Sequence, residues 1–215
     1  MSQPAKSVKV RAAVRDGPST RQRILQAALK AFARHGFDGV SLRTIADEAG
    51  VNHQLIGHHF GSKQDLWDAA LDSRVEDFGK LHHALDVAGE VSDPREQFLS
   101  FLRTVVEYTV ANPENACINV HEALVNRSVS KNSDRYQRLL ERQVTKYREM
   151  TERLLAQAQE AGILPQMPID DLWFVWQGAV IHRIITAKQS EHFSGLPIEE
   201  VVDAHTNAIA KIFVR

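Results

Sequence analysis

"SLRTIADEAGVNHQLIGHHFGSK", residues 41–63, is the stretch on which the fold turns. Ser41 is a good N-cap for a short helix carrying Leu42, Ile45, Ala46 and Ala49 inward, and Gly50 supplies the left-handed turn that ends it. Asn52 caps another helix immediately, and Gly61 ends that one. Two short helices meeting at a glycine, with small Ala46 four residues before it, satisfy the steric needs of a helix-turn-helix. Ala46 lets the helices approach and Val51 with Ile56 fills the wedge between them. Asn52, His53, Gln54, Gly57 and His58 are then left on an outer face of the kind a major groove accepts. Glycine inside a helix costs up to ~1 kcal/mol relative to alanine, so this helix is expected to depend on Leu55, Ile56 and Phe60 for its order.

Outward from this stretch the chain reads as one helix after another. Upstream, Ser19 or Thr20 caps a helix of about four turns with Ile24, Leu25, Ala28, Leu29 and Phe32 in one apolar stripe, ended by Gly36. Residues 1–18 hold Lys6, Lys9, Arg11 and Arg15 without apolar periodicity and close with Gly17-Pro18, which predicts a flexible basic arm. Downstream, Ser62 with Asp65 opens a fourth helix through Trp67, Leu71, Val75 and Phe78. After a break at 89–94, Asp93-Pro94 with Glu96 starts a helix whose inner face is Phe98, Phe101, Leu102, Val105 and Tyr108, closed by Asn112-Pro113.

A shorter helix follows from about residue 114 to 125, and Ser133-Asp134 caps a long one through Leu139, Leu140, Tyr147, Leu154 and Leu155 to Gly162. A very apolar helix spans about 171–188, and the last, after Gly195, carries Val201, His205, Ala208, Ile209, Ile212 and Phe213. No strand pattern, internal repeat or low-complexity tract interrupts the series. The predicted class is all-α: a three-helix helix-turn-helix domain at 19–71, joined by a connecting helix to a larger helical domain at 72–215.

The 215 residues are 43% hydrophobic and 25% charged, a soluble globular composition with enough chain for a self-sufficient core. The apolar run at 173–185 is broken by Gln177, His182 and Arg183, and no apolar signal core opens the chain. Neither membrane insertion nor secretion is indicated, and the cytoplasm is the expected location. The one cysteine, Cys117, excludes an internal disulfide and a cysteine zinc cluster; it reads as an inert packing residue, with a redox sensor as the rarer alternative. The net charge of −1 conceals an asymmetry: residues 1–67 hold ten Lys/Arg against five Asp/Glu, the remainder sixteen against twenty-two. A basic segment on an acidic body suits a polyanion partner at one end, although so modest an excess also fits a solvated surface.

None of the ten histidines has another three or four residues away, the spacing by which one helix face holds zinc, so no metal is expected. "GHHFGSK" is no phosphate loop either: its glycines are four apart, its lysine follows the serine and no strand leads into it. No G-x-S-x-G elbow is present, and neither catalytic residues nor a cofactor is expected.

The segment "TRQRILQAALKAFARHGFDGVSLRTIADEAGVNHQLIGHHFGSKQDLW", residues 20–67, resembles the DNA-binding domain of TetR-family transcriptional regulators throughout. "AFARHGFDGVSLRTIADEAGV" and "HHFGSKQDLW" are its most specific parts. The resemblance implies a homodimer on double-stranded DNA, at a partly palindromic operator, most often a repressor released by a small-molecule effector; activators in the family leave the sign of regulation open. It places Ser41, Arg43 and Thr44 at the DNA-facing start of the second helix, Asn52 to His59 as the recognition helix and Lys63 as a phosphate-clamping lysine. Gln54 suits adenine, Arg43 suits guanine or phosphate, and Ser41, His59 and Lys63 position the backbone. One departure stands out. Gly57 occupies the place of a tyrosine that commonly meets the DNA backbone, so His58 and the basic arm are expected to supply part of that contact. For His53 and His58 the bland alternative is solvated surface, and for His59 a packed structural ring.

In the body, the resemblance implies that the last two helices form a dimer contact. The residues assigned to it are Trp173, Trp176, Val180, Ile181 and Ile184, with Ile209 and Phe213, the alternative being an intramolecular core. Phe98, Phe101, Tyr108, His121, Tyr147 and Phe174, with Gln177, are candidate walls of an effector pocket, each equally readable as ordinary core. Their aromatic character points to an aromatic or lipophilic effector. The fourth helix joins the halves, so an effector favouring a tilted fourth helix would respace the recognition helices. The rival from another class is a helical small-molecule-binding or enzymatic protein merely tethered to DNA. Imidazole titrates near neutrality and a phosphate neighbour favours its protonated form. Operator affinity at fixed salt is therefore expected to strengthen from about pH 8 to pH 6, and a His53→Gln/His58→Gln variant to lose that dependence; superimposable profiles for the two proteins would remove the idea.

Overall fold

The computed structural model describes residues 18–74, 93–127 and 134–214, and every regular element among them is helical. Residues 1–17 of the basic arm, the continuation of the fourth helix through Val75 and Phe78, and residues 89–92 of the break at 89–94 lie outside the described residues.

Three helices build the N-terminal unit: α1 (Thr20–His35), α2 (Leu42–Ala49) and α3 (His53–Phe60), with α4 (Lys63–Asp72) following. Their ends are fixed by local chemistry. Ser19 and Gln22 form a reciprocal capping box at α1, and Ser62 with Asp65 does the same at α4. Ser41 accepts from the Thr44 N–H at α2, and Asn52 from the Gln54 N–H at α3. Ile24, Ala28, Phe32, Ile45, Ile56, Leu66 and Trp67 are all buried in one cluster. Ile118 and Leu139, which come from the body, complete the same cluster.

The body comprises α5 (Pro94–Ala111), α6 (Pro113–Asn126), α7 (Asp134–Leu139), α8 (Thr145–Glu160), α9 (Ile169–Ile185), α10 (Ala187–Ser194) and α11 (Val202–Phe213). The long helix expected from Asp134 is interrupted by a π-helical turn, Leu140–Val144, between α7 and α8. The apolar helix expected to reach Lys188 stops at Ile185, where Thr186 turns its hydroxyl back onto the His182 carbonyl, and α10 starts anew. The second core gathers Phe98, Phe101, Leu102, Val105, Leu155 and Trp176, with the Phe101 and Trp176 rings stacked at 5.1 Å.

Burial corrects the expected dimer face. Trp173, Trp176, Val180, Ile184, Ile209 and Phe213 are buried within a single chain, and Ile181 is half-buried beside them. The outward residues of α9 and α11 are instead Phe174, 69% exposed, Val175 and Ile212, 77% exposed, with Gly178, Ala204 and Ala208 between them. Helix α9 is apolar nearly all round, so periodicity alone does not say which stripe its own chain covers.

His121, expected in a pocket wall, lies over Gly36 at the end of α1. A Cβ at Gly36 would stand 2.0 Å from His121 Cε1, and the backbone there (φ 68, ψ 175) is a conformation essentially reserved for glycine. Gly36→Ala is expected to destabilise the chain by about 2 kcal/mol or more, read as a lower urea midpoint. Adding His121→Ala recovers only the steric part; a wild-type midpoint for Gly36→Ala would refute this close fit.

Candidate nucleic-acid interface and effector cavity

Helices α2 and α3 meet at Gly50, whose left-handed backbone (φ 63, ψ 41) lets the Val51 N–H reach the Ala46 carbonyl at 3.0 Å. Ala46 and Ile56 are buried at the crossing, and Ile56 is the one buried residue of α3. Asn52, His53, Gln54, Gly57, His58 and His59 are exposed, as are Ser41, Arg43 and Thr44 at the start of α2. The structure therefore brings these nine residues onto neighbouring outer surfaces of the helix pair. Ser41 and Thr44 hydroxyls are 2.9 Å apart, and the His58 and His59 rings meet edge to face at 5.4 Å.

Two positions depart from expectation. Leu55, expected to anchor α3, is 37% exposed on that helix. Lys63 turns away from α3: its Nζ lies 4.6 Å over the Phe37 ring, which Arg135 covers with its guanidinium at 4.3 Å. Desolvation there lowers the Lys63 ammonium pKa below its ordinary value, with Asp38 opposing and Arg135 reinforcing the shift. Arg21 was missed: its guanidinium sits 5.3 Å over Phe60, adding an exposed cation beside the end of α3. Its place in the first turn of α1 was the available signal.

The expected pocket residues separate into different places. Phe98 and Phe101 line a cavity of about 210 Å³ between α5 and α8, with Leu154, Gln157 and Ala158. Tyr108, Tyr147 and Gln177 line a second one of about 50 Å³, bounded by α5, α6, the π-helical turn, α8 and α9. Phe174 lies in neither and faces outward.

Among the described residues, the second of these two cavities has walls that also hold the end of α4. Gln143, on the π-helical turn, donates from Nε2 to the Leu71 carbonyl at 3.0 Å. Asn115 accepts from Arg74 Nε at 2.9 Å and donates to the Tyr108 hydroxyl at 3.1 Å. Beside these bonds, Arg138 reaches Asp68 at 3.3 Å and Arg142 embraces both oxygens of Asp72 at 2.7 and 2.8 Å. Sequence spacing gave no hint of Asn115 or Gln143, because their partners lie far along the chain.

A helix-turn-helix unit sharing a core with a helical body defines the class of fold. Residues 24–70 match the family model described as bacterial regulatory proteins, tetR family. The HTH-type transcriptional repressor SCO4008 of Streptomyces coelicolor is 33% identical over 102 residues, 47% of this chain and 48% of that one. The chain thus spans about half the length of the curated relatives it matches. Among solved structures, the ketosteroid regulator KstR2 of Mycobacterium tuberculosis superposes with a TM-score of 0.69 at 20% identity, covering 93% of this chain and 97% of that one. AibR, solved with isovaleryl coenzyme A and operator DNA, superposes at 0.65 and 17% identity, covering 88% and 97%. Residues 24–70 thus resemble the tetR-family domain, and the likeness to the solved structures shows the fold.

At Gly57 a Cβ would meet nothing within 4 Å, so the helix needs no glycine for space. Gly57→Ala is expected to stabilise the chain by about 0.5–1 kcal/mol in urea unfolding. An unchanged or lowered midpoint would show that α3 is not held as a regular helix through that position.

Proposed function

We propose that this chain is a homodimeric transcriptional repressor acting in the cytoplasm, which binds a partly palindromic operator through α3 and is released by a small molecule. In this reading residues 19–71 bind DNA and 72–215 bind the effector and the second protomer. The observation that carries it is α3 itself: a helix held by one buried side chain, with its remaining polar residues turned outward next to the exposed start of α2. Gln54 offers a carboxamide to adenine and Arg43 a guanidinium to guanine or phosphate, while exposed Leu55 suits a thymine methyl. Ser41, Thr44, Asn52, His53, His58 and His59 hold the phosphates on either side, joined by Arg21. Open space over Gly57 lets the DNA backbone approach α3 closely. Lys63 serves the junction with the body in this conformation and reaches phosphate only by leaving Phe37.

The names of the relatives support repression, and the neighbour solved with operator DNA supports the docking mode. What one chain leaves uncovered supports dimerisation. Ile184 shares a small apolar cluster with Val201, and the Val180 carbonyl lies 3.3 Å from His205 Nε2 at the start of α11. Phe174 and Ile212 are exposed, as are the small residues Gly178, Ala204 and Ala208 on the same two helices, and we assign this surface to a two-fold contact with a second copy. Effector entry into the Gln143–Asn115 cavity disturbs the bonds that hold the end of α4, and α4 carries the change to α3.

Footprinting on DNA of the source organism, together with light scattering, tests this reading. The wild type is expected to be a dimer protecting two half-sites about 34 Å apart or a multiple of it. Phe174→Asp/Ile212→Asp should be a well-folded monomer whose operator affinity falls about a hundredfold as the linked second half-site is lost. A wild-type chain that is monomeric at micromolar concentration and protects no segment at low salt would overturn the proposal.

A further inference from the structure

The cavity behind α4 has a chemistry of its own. Among the described residues no formally charged side chain lines it. Its walls carry amides and hydroxyls, with Ala116, Val144 and Ile181 as apolar surface. Most of the amide donors are already engaged. Asn112 Nδ2 donates to the Tyr108 carbonyl at 2.9 Å, Asn115 Nδ2 to the Tyr108 hydroxyl, and Gln143 Nε2 to the Leu71 carbonyl. Two acceptors are not: Asn119 Oδ1 and Gln177 Oε1 are buried without a hydrogen-bond partner among the described residues. Both residues line the cavity, on α6 and α9. A buried carbonyl oxygen left unsatisfied is costly, and a ligand that donates to it recovers that cost.

On this basis, which rests on the regulatory reading above, we propose that the cavity takes an uncharged, largely planar ligand with hydrogen-bond donors, such as an aromatic primary amide, received by Asn119 Oδ1 and Gln177 Oε1. A carboxylate or phosphate would find no cation in the lining and only neutral amide and hydroxyl groups, so its charge goes uncompensated. An ammonium would find acceptors but no counter-charge. A hydrocarbon would leave both oxygens unsatisfied. The aromatic, lipophilic effector expected from the sequence is thereby narrowed: the ring fits against Val144, Ile181 and Tyr147, and the polar edge gives the specificity. Burial raises the Tyr147 phenol pKa above its ordinary value, so that wall also stays neutral.

Size links occupancy to release. About 50 Å³ holds little more than a water or two. A ring-sized ligand enters only by moving apart α6 and the π-helical turn, the two elements that hold Arg74 and the Leu71 carbonyl. The cavity of about 210 Å³ at Phe98 and Phe101 is larger, but among the described residues none of those lining it is hydrogen-bonded to α4.

Four probes of one shape separate the possibilities: benzamide, N,N-dimethylbenzamide, benzoate and benzylamine, each at equal millimolar concentration with the full chain and without DNA. Binding is read from side-chain amide NMR shifts and from the melting temperature. Benzamide is expected to bind best and to shift the Asn119 and Gln177 amide signals. Asn119→Leu and Gln177→Met should each weaken it about fivefold to tenfold, the worth of one hydrogen bond. Should either variant fold poorly, Gln177→Glu keeps the shape and is expected to move the preference from benzamide to benzylamine. Equal or tighter binding of benzoate, benzylamine or the dimethylated amide to the wild type overturns the assignment, as does a wild type that binds none of the four. Footprinting is scored separately. A chain that selects DNA yet prefers benzoate loses only this ligand class, whereas one that prefers benzamide and selects no DNA loses the regulatory reading instead.

Discussion

Ile118 and Leu139 are the residues on which the rest of this architecture depends. They come from α6 and α7, yet both are buried in the cluster that holds α1 to α4 together. The helix-turn-helix unit therefore has no complete core of its own. Around that apolar contact the junction is tightened by shape and by charge: His121 over Gly36, and Arg135 between Phe37 and the buried Glu122 carboxylate at 3.1 Å. Pairs such as Arg138–Asp68 and Arg142–Asp72 are partly exposed, so they contribute little energy singly. Their value is geometric, because residues spaced three or four apart on α7 and its π-helical turn engage residues four apart on α4 and fix one register between them.

Register matters because the π-helical turn adds a residue to the helical winding just where α7 gives way to α8. A regular helix could not as easily present Arg142 to Asp72 outside and Gln143 to the Leu71 carbonyl inside. The turn therefore places a buried carboxamide at the end of α4 and in the cavity wall at once. A carboxamide suits this position, since it donates and accepts without bringing a charge into the interior. The same holds for Asn115, which accepts from Arg74 on one side and donates to Tyr108 on the other.

How much of this was legible in the chain follows from the range of each interaction. The caps of α1 to α4 and the turn at Gly50 involve residues two to five apart, so Ser19, Ser41, Asn52 and Ser62 announce the helix starts directly. The exposed face of α3 follows from those caps, with Leu55 the exception: neighbouring residues on a helix stand about 100° apart, so packing at Ile56 leaves Leu55 to one side. Asn115, Gln143 and Arg135 act on partners 41, 72 and 13 residues away, separations at which no local pattern exists. Helix α9 failed for a different reason. Its low amphipathicity left two stripes equally plausible, and the larger aromatics, Trp173 and Trp176, went to the chain's own core.

That choice has a consequence for how the two ends of the molecule communicate. Because Trp176 stacks on Phe101 and Val180 meets His205, the second core ties α9 to α5 and α11 inside one protomer, leaving only smaller or isolated groups for a partner. Gln177, half-buried next to Trp176, is one residue from Gly178 on the outer face and lines the cavity on the inner one. A shift of α9 caused by a ligand at Gln177 is therefore felt at the outer face as well as at α4. Two chains joined there would move as a pair, since a two-fold contact imposes the same displacement on both copies.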